Sequence, residues 1–184
     1  QSTIYISGLP FHFNGMVNKD GFNFNLKGNN IKIQDVANSL AMQATNNVKQ
    51  YSGQGVLLFD LNIDGTKDPV QPVTVDCNFG IKNATLVDPK SRIKLSKLKL
   101  DGAYKNKGGH TKEKLELRNI SFNTRGGPFV GNLLLTNFKN PVFNGNANGT
   151  LDLAVVTSFL GIPQIETING KVDLRTNFIV QGKV

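Results

Sequence analysis

The chain has 184 residues, enough for one domain with a hydrophobic core and marginal for two. Hydrophobic residues make up 39% and charged residues 18%, and the abundant Asn, Gly and Thr favour β-strands joined by tight turns. The single cysteine, Cys77, excludes an internal disulfide and a cysteine-based zinc cluster, and no apolar run reaches the length of a membrane-spanning helix.

Most of the chain alternates apolar and polar residues with a period of two, which predicts strands with one dry and one wet face. In "VTVDCNFGI" (73–81) this alternation puts Cys77 on the apolar side, as a buried small hydrophobe. The alternation slips at Ser96-Lys97 and at Arg118-Asn119, and we expect a β-bulge at each slip. The predicted strands lie around 3–7, 10–17, 21–27, 30–34, 54–64, 73–81, 92–100, 114–122, 129–137, 142–151 and 170–182.

Two stretches break this period and predict short helices, at about 34–51 and 152–161. They belong to an internal repeat of strand, short helix, Gly and long strand, whose copies span about 28–65 and 148–182. "IKIQDVANSL" aligns with "LDLAVVTSFL", and "GQGVLLFDLNIDG" aligns with "GKVDLRTNFIVQG". We therefore predict a mainly β fold, an elongated and curled antiparallel meander with two short helices. Residues 1–184 are expected to form one segment of a longer protein.

The stretch "DLNIDGTKDPVQ" (60–71) begins like a calcium loop of the EF-hand type, with Asp60, Asn62 and Asp64 at alternate positions. The second copy of the repeat lacks these side chains. Gln71 also stands where a bidentate Glu would close the loop. We interpret the stretch as a strand that runs into a turn, and we predict no metal and no cofactor.

Catalytic chemistry has little support in the sequence. A nucleophilic site needs a Ser or Cys beside a base, and the chain has only two histidines, His12 in a strand pattern and His110 in a Gly-rich hairpin tip. The carboxylates are scattered and form no spaced pair of the glycosidase type. We predict that the protein is not an enzyme.

The formal net charge of +8 comes mostly from residues 90–118. Two interpretations stay open: a solvated strand face that resists edge-to-edge aggregation, and a patch that faces anionic lipid headgroups. Nucleic acid is not an expected partner, because no aromatic residues interleave with the basic ones. The candidate headgroup residues are Lys90, Arg92, Lys94, Lys97 and Lys99.

A meander with one apolar face must either cover that face or use it. The sheet can fold onto itself as a filled sandwich, or it can form a groove for acyl chains, in which each buried methylene contributes about 0.8 kcal/mol. The predicted partner is then a phospholipid or another acyl-chain lipid. The alternation selects as lipid-facing residues Phe59, Leu61, Ile63, Val73, Val75, Phe79, Ile81, Leu133, Leu135, Phe178 and Val180.

Several segments resemble the repeating region of AsmA-like proteins of Gram-negative bacteria, in particular the Bacteroidetes type. The likeness spans most of residues 9–184 and rests on Gly, Asn and hydrophobic positions in "GVLLFDLNIDGTKDP", "VDCNFGIKNATLVDP", "SKLKLDGAYKNKG", "LELRNISFNTRGGPFVGNLLLTNFKNPVFNGNANGTLDLAVVTSFL" and "INGKVDLRTNFIVQG".

The resemblance implies a periplasmic envelope protein of outer-membrane biogenesis, tethered to the inner membrane by an N-terminal helix that this sequence does not contain. It also implies a β-groove that carries phospholipid, but it offers no motif residue as a ligand. The alternative function is a structural or adhesive β-sandwich module of the cell surface.

Overall fold

One antiparallel sheet accounts for nearly all of the described structure. The computed structural model describes residues 2–36, 52–68, 70–88, 91–108, 112–155 and 170–182. Within them ten strands follow one another in the sheet in the same order as in the chain, and the first and last strands do not pair. The mainly β meander predicted from the sequence is therefore confirmed. The strands are β1 (Ser2–Ile6), β2 (Leu9–Val17), β3 (Gly21–Lys32), β4 (Ser52–Thr66), β5 (Thr74–Val87), β6 (Lys94–Asn106), β7 (Glu113–Thr124), β8 (Gly127–Thr136), β9 (Val142–Asp152) and β10 (Lys171–Gln181).

The two copies of the repeat have the same order of elements. β3 leads into helix α1, whose described part is 33–36, and β9 leads into helix α2 (Leu153–Val155). In each copy, a residue at the start of the helix forms a hydrogen bond with a glycine that lies just before the next long strand or at its beginning. The Gly53 amide donates to the Gln34 side chain (2.8 Å), and the Leu153 amide donates to the Gly170 carbonyl (2.9 Å). The rest of the predicted helices, 37–51 and 156–161, lies outside the described residues.

Bulges bend several strands, as the sequence slips predict. The pairing shifts between Ser96 and Lys99 and between Leu117 and Ile120, and both Lys97 and Asn119 have a φ of 53°. These two predictions are confirmed. The predicted separate strands 21–27 and 30–34 are instead one strand, β3, because the intervening Gly-Asn-Asn is accommodated as a bulge, with Asn30 at a φ of 58°.

The sheet has one apolar face, and no second layer covers it within the described residues. Each described strand packs mainly against its neighbours in the sheet. Only six described apolar residues are buried, and most apolar side chains on this face are half-exposed. A filled sandwich would need a second sheet here, and the described part of the chain contains one sheet. The buried residues are Ile31, Cys77, Ala84, Leu95, Ala103 and Val155.

Candidate functional site

The pairing register brings the predicted lipid-facing residues together on the apolar face. Ten of the eleven lie in β4, β5, β8 and β10, in rows that cross the strands. The central row begins at Gly28 on β3 and ends at Phe178 on β10. Val73 is the exception: it precedes β5 and is 42% exposed. The residues of the central row are Gly28, Phe59, Phe79, Gly102, Leu117, Leu133, Gly145 and Phe178.

Phenylalanine rings on this face lie over glycines of the neighbouring strand. A Cβ placed on Gly102 would overlap the Phe79 ring, and one on Gly145 would lie 2.8 Å from Cζ of Phe178. The ring can lie flat on the backbone because the glycine has no side chain, and each ring then shields a strand segment that would otherwise be weak. The surface of the apolar face is therefore recessed along the central row at Gly102 and Gly145, where the strand carries no side chain.

A second row, parallel to the central one, extends the apolar face. It carries the predicted Leu61, Leu135 and Val180 together with aromatic and aliphatic side chains that the sequence analysis did not select. The same period-two alternation would have found them, since they occupy the apolar phase of their strands. The additional residues of this row are Phe13, Leu26, Cys77, Tyr104, Leu115 and Phe143.

Two ionisable groups stand within this second row. The Tyr104 hydroxyl donates to Oε1 of Glu113 (3.1 Å), and burial followed by this bond raises the pKa of Tyr104. Cys77 is 8% exposed, and burial, with smaller effects from the charges of Asp76 and Asp60, raises the pKa of its thiol. Both groups therefore stay uncharged at neutral pH, which suits an apolar surface.

The predicted headgroup patch lies at the β5–β6 hairpin. Asp88 shapes this turn: its side chain accepts from the Ser91 hydroxyl (2.7 Å) and its carbonyl accepts from the Arg92 amide (2.8 Å). Lys94 follows at the start of β6. Lys90 lies outside the described residues.

The lysines of the patch and the lysines further along the sheet differ in their ion pairs. Lys94, Lys97 and Lys99 are exposed and form no ion pair with any residue that the structure describes, whereas Lys105 and Lys114 pair with neighbouring carboxylates at 2.9 and 3.2 Å. The unpaired charges fit either interpretation of the patch, a solvated face or a headgroup contact.

The stretch that begins like a calcium loop is a strand, as predicted. Asp60, Asn62 and Asp64 project from the polar face of β4, which continues to Thr66. Their side chains bond to β3: the Asn25 amide donates to Asp60 (2.8 Å) and to Asn62 (2.7 Å). In the described ranges no three His, Cys, Asp or Glu side chains cluster closely enough to hold a metal ion.

The two histidines differ in what the structure describes of them. His12 is exposed on β2, where it pairs with Lys27 of β3, so the prediction that it is a strand residue is confirmed. His110 lies outside the described residues.

Comparisons of this chain with protein-family models, with curated proteins and with solved structures find no match. The resemblance to AsmA-like proteins therefore stays a prediction. Of the helices that the structure describes, none has the length and apolar character needed to cross a membrane.

Proposed function

We propose that the apolar face holds the acyl chains of phospholipids, in a non-catalytic segment of an envelope protein that serves lipid transport and outer-membrane biogenesis. The single observation that carries this proposal is a continuous apolar face that is half-exposed and has no covering layer within the described residues. Soluble monomers seldom expose contiguous apolar patches of more than a few hundred Å², and larger patches mark interaction sites.

The dimensions of the face suit an acyl chain that lies across the strands. Neighbouring strands are about 4.8 Å apart, so the central row from Phe59 on β4 to Phe178 on β10 extends over roughly 29 Å. One bilayer leaflet has about half of the ~30 Å hydrocarbon thickness, so a single acyl chain would cover about three strand spacings. Ten methylenes removed from water contribute on the order of 8 kcal/mol before the loss of chain freedom is counted.

The recessed surface of the central row also supports an acyl chain as the ligand. Phe79 and Phe178 lie on Gly102 and Gly145 instead of standing upright, which leaves space above the row for a flexible hydrocarbon. Lys94, Lys97 and Lys99 form no ion pair within the described residues and would attract a phosphate, but Lys99 adjoins Leu100, the cross-strand partner of Ile81, and therefore projects from the polar face. A periplasmic location and a tether to the inner membrane are parts of the same proposal and derive from the resemblance to AsmA-like proteins.

The first test is mass spectrometry of organic extracts from natively purified protein, with a mock purification as the control. We expect enriched phospholipid in near-stoichiometric amount. The decisive comparison uses two neighbouring residues of β5: Phe79→Glu puts a charge on the apolar face, and Asn78→Glu puts the same charge on the exposed polar face.

Both variants should keep the far-ultraviolet circular dichroism of the sheet. We expect Phe79→Glu to lose bound phospholipid and Asn78→Glu to retain it, because an unpaired carboxylate opposes an apolar ligand. Equal lipid occupancy in a folded Phe79→Glu protein would refute the proposed face.

A further inference from the structure

A shallow trough crosses the sheet, and most of the residues that line it belong to the polar face, opposite the proposed lipid face. Its lining also includes residues of the central row, namely Phe59, Phe79, Gly102, Leu117, Leu133 and Gly145. Three depressions of about 650, 380 and 240 Å³ form it. The first and second share Arg118, and the second and third share Asn146 and Asn177. The depressions are therefore contiguous and extend from β3 to β10, which is the shape of a track for an extended chain.

Small residues create the deepest part of this trough. Gly80 lies between Leu58 and Asp101 in one cross-strand row, and Ala103 lies beside Asn78 in the next. Both Gly80 and Ala103 are buried although they occupy the polar face, because the longer side chains around them rise above them. A Cβ at Gly80 would meet only ordinary contacts, at 3.4 Å or more, so packing does not require glycine at this position.

Exposed asparagines line the other end of the trough. Asn132, Asn146 and Asn177 are direct cross-strand neighbours on β8, β9 and β10. Asparagine is depleted in strands, where Thr and other β-branched residues are favoured. Among the described residues, the side chains of Asn144 and Asn177 form no hydrogen bond with the protein. Asn132 accepts from the Asn119 backbone amide (3.0 Å) and donates to the Asn146 side chain (3.4 Å), so internal bonding accounts for only part of this row and strand propensity for none of it. Such local conflicts are expected at functional sites.

The chemistry of the trough selects a neutral ligand that is rich in hydroxyl groups. Its amides offer paired donors and acceptors, and apolar Leu58 and Leu134 stand among them. The charged side chains of the trough balance: three are cationic and three are carboxylates. They are Lys27, Arg118, Arg175, Asp60, Asp101 and Glu116.

Most of the carboxylates already have partners within the protein. Lys27 lies 3.1 Å from Asp60, and the Asn119 amide donates to Asp101 (2.8 Å). A polyanion would meet the carboxylates, whereas a neutral polyol would meet hydrogen-bonding groups throughout. We propose that this trough binds a neutral oligosaccharide chain, with vicinal hydroxyls on the asparagine amides and sugar C–H groups on the leucines.

The test is an NMR titration of the ¹⁵N-labelled protein with cellohexaose, chitohexaose and maltohexaose. We expect at least one of the three to bind with a Kd of roughly 0.1–1 mM, and to shift mainly the side-chain amide signals of Asn119, Asn132, Asn146 and Asn177. The variant N132T/N146T/N177T should bind that sugar roughly tenfold more weakly or not at all. Its melting temperature should stay close to that of the wild type, because the strand preference of Thr offsets the loss of the Asn132 side-chain hydrogen bonds.

Asn14→Thr is the matched control, because Asn14 is exposed on the polar face of β2, outside the trough. It should leave sugar binding unchanged. Four outcomes would overturn the proposal: no shifts with any of the three sugars, shifts confined to the apolar face, unchanged affinity in the folded triple variant, and tighter binding of a heparin hexasaccharide or of an extended polar peptide.

Discussion

Replacing Gly102 by Ala tests how the apolar face is built. Alanine normally stabilises a strand relative to glycine, by about 0.5–1 kcal/mol, because glycine loses more conformational freedom on folding. At Gly102 the new methyl group would overlap the ring of Phe79, which must then lift away from the backbone. The substitution therefore sets strand propensity against the packing of one ring.

The lost contact should exceed the gain in propensity. A Phe side chain buries about 150–250 Å² when it is fully covered, and one face of the ring accounts for roughly a third of this area, about 60 Å². At about 25 cal/mol per Å², exposure of that face costs on the order of 1.5 kcal/mol. After the gain in propensity is subtracted, we expect Gly102→Ala to lower the free energy of unfolding by about 0.5–1 kcal/mol.

The assay is urea unfolding followed by far-ultraviolet circular dichroism, with Gly80→Ala as the matched control. Gly80 lies on the adjacent strand and points to the other face, where a Cβ has room. This control should be stabilised by about 0.5–1 kcal/mol, so the two variants should differ by roughly 1.5 kcal/mol. In a Phe79→Ala background the Gly102→Ala change should become stabilising. Equal stabilisation of both single variants in the wild-type background would refute the ring-on-glycine packing.

The remaining predictions concern Cys77 and Asn119. Burial raises the pKa of Cys77 above its ordinary value of 9.0, so the contribution of this thiol to stability should be constant below about pH 9 and fall at higher pH, where the unfolded chain loses the thiol proton first. Cys77→Ala should remove that part of the decline in urea unfolding, and an unchanged decline would contradict the assignment. Asn119→Val should be less stable than Asn119→Gly by about 1–2 kcal/mol in the same assay, because both variants lose the hydrogen bond to Asp101 but only the β-branched residue is strained at a φ of 53°. Equal losses in the two variants would show that the bulge conformation is not the cause.

The sheet could be predicted because the alternation of apolar and polar residues is visible within each strand of the sequence. Alternation with period two fixes which side of a strand each residue occupies, and ten of the eleven residues chosen as lipid-facing share one face. Val73 lies outside β5 because a turn at Asp68 precedes the strand: the Gln71 amide donates to the Asp68 carbonyl (3.0 Å), and the Val70 amide donates to the Asp68 carboxylate (2.9 Å). The alternation therefore began one residue before the strand itself.

Features that depend on register could not be predicted. Phe79 lies on Gly102, 23 positions along the chain, only because the β5–β6 hairpin and its bulges set that pairing. Two bulges, in the β6–β7 and β7–β8 pairings, coincide with visible slips in the alternation. The β3 bulge was interpreted as a break between strands because Gly-Asn-Asn is also a typical turn sequence. The polar trough was missed for the same reason. Asn132, Asn146 and Asn177 are separate in the sequence and meet only through the pairing of β8, β9 and β10.

The alternation of β5 makes the two proposals separable. Phe79 and Asn78 are adjacent in the chain and both border the trough, but the alternation directs the Phe79 side chain to the apolar face and the Asn78 side chain to the polar face. A carboxylate at Phe79 should therefore abolish phospholipid binding and leave oligosaccharide binding intact, and a carboxylate at Asn78 should have the reverse effect. If either charge abolished both activities in a folded protein, the two ligands would not occupy opposite faces. The loss would then reflect a change in the sheet that the faces share.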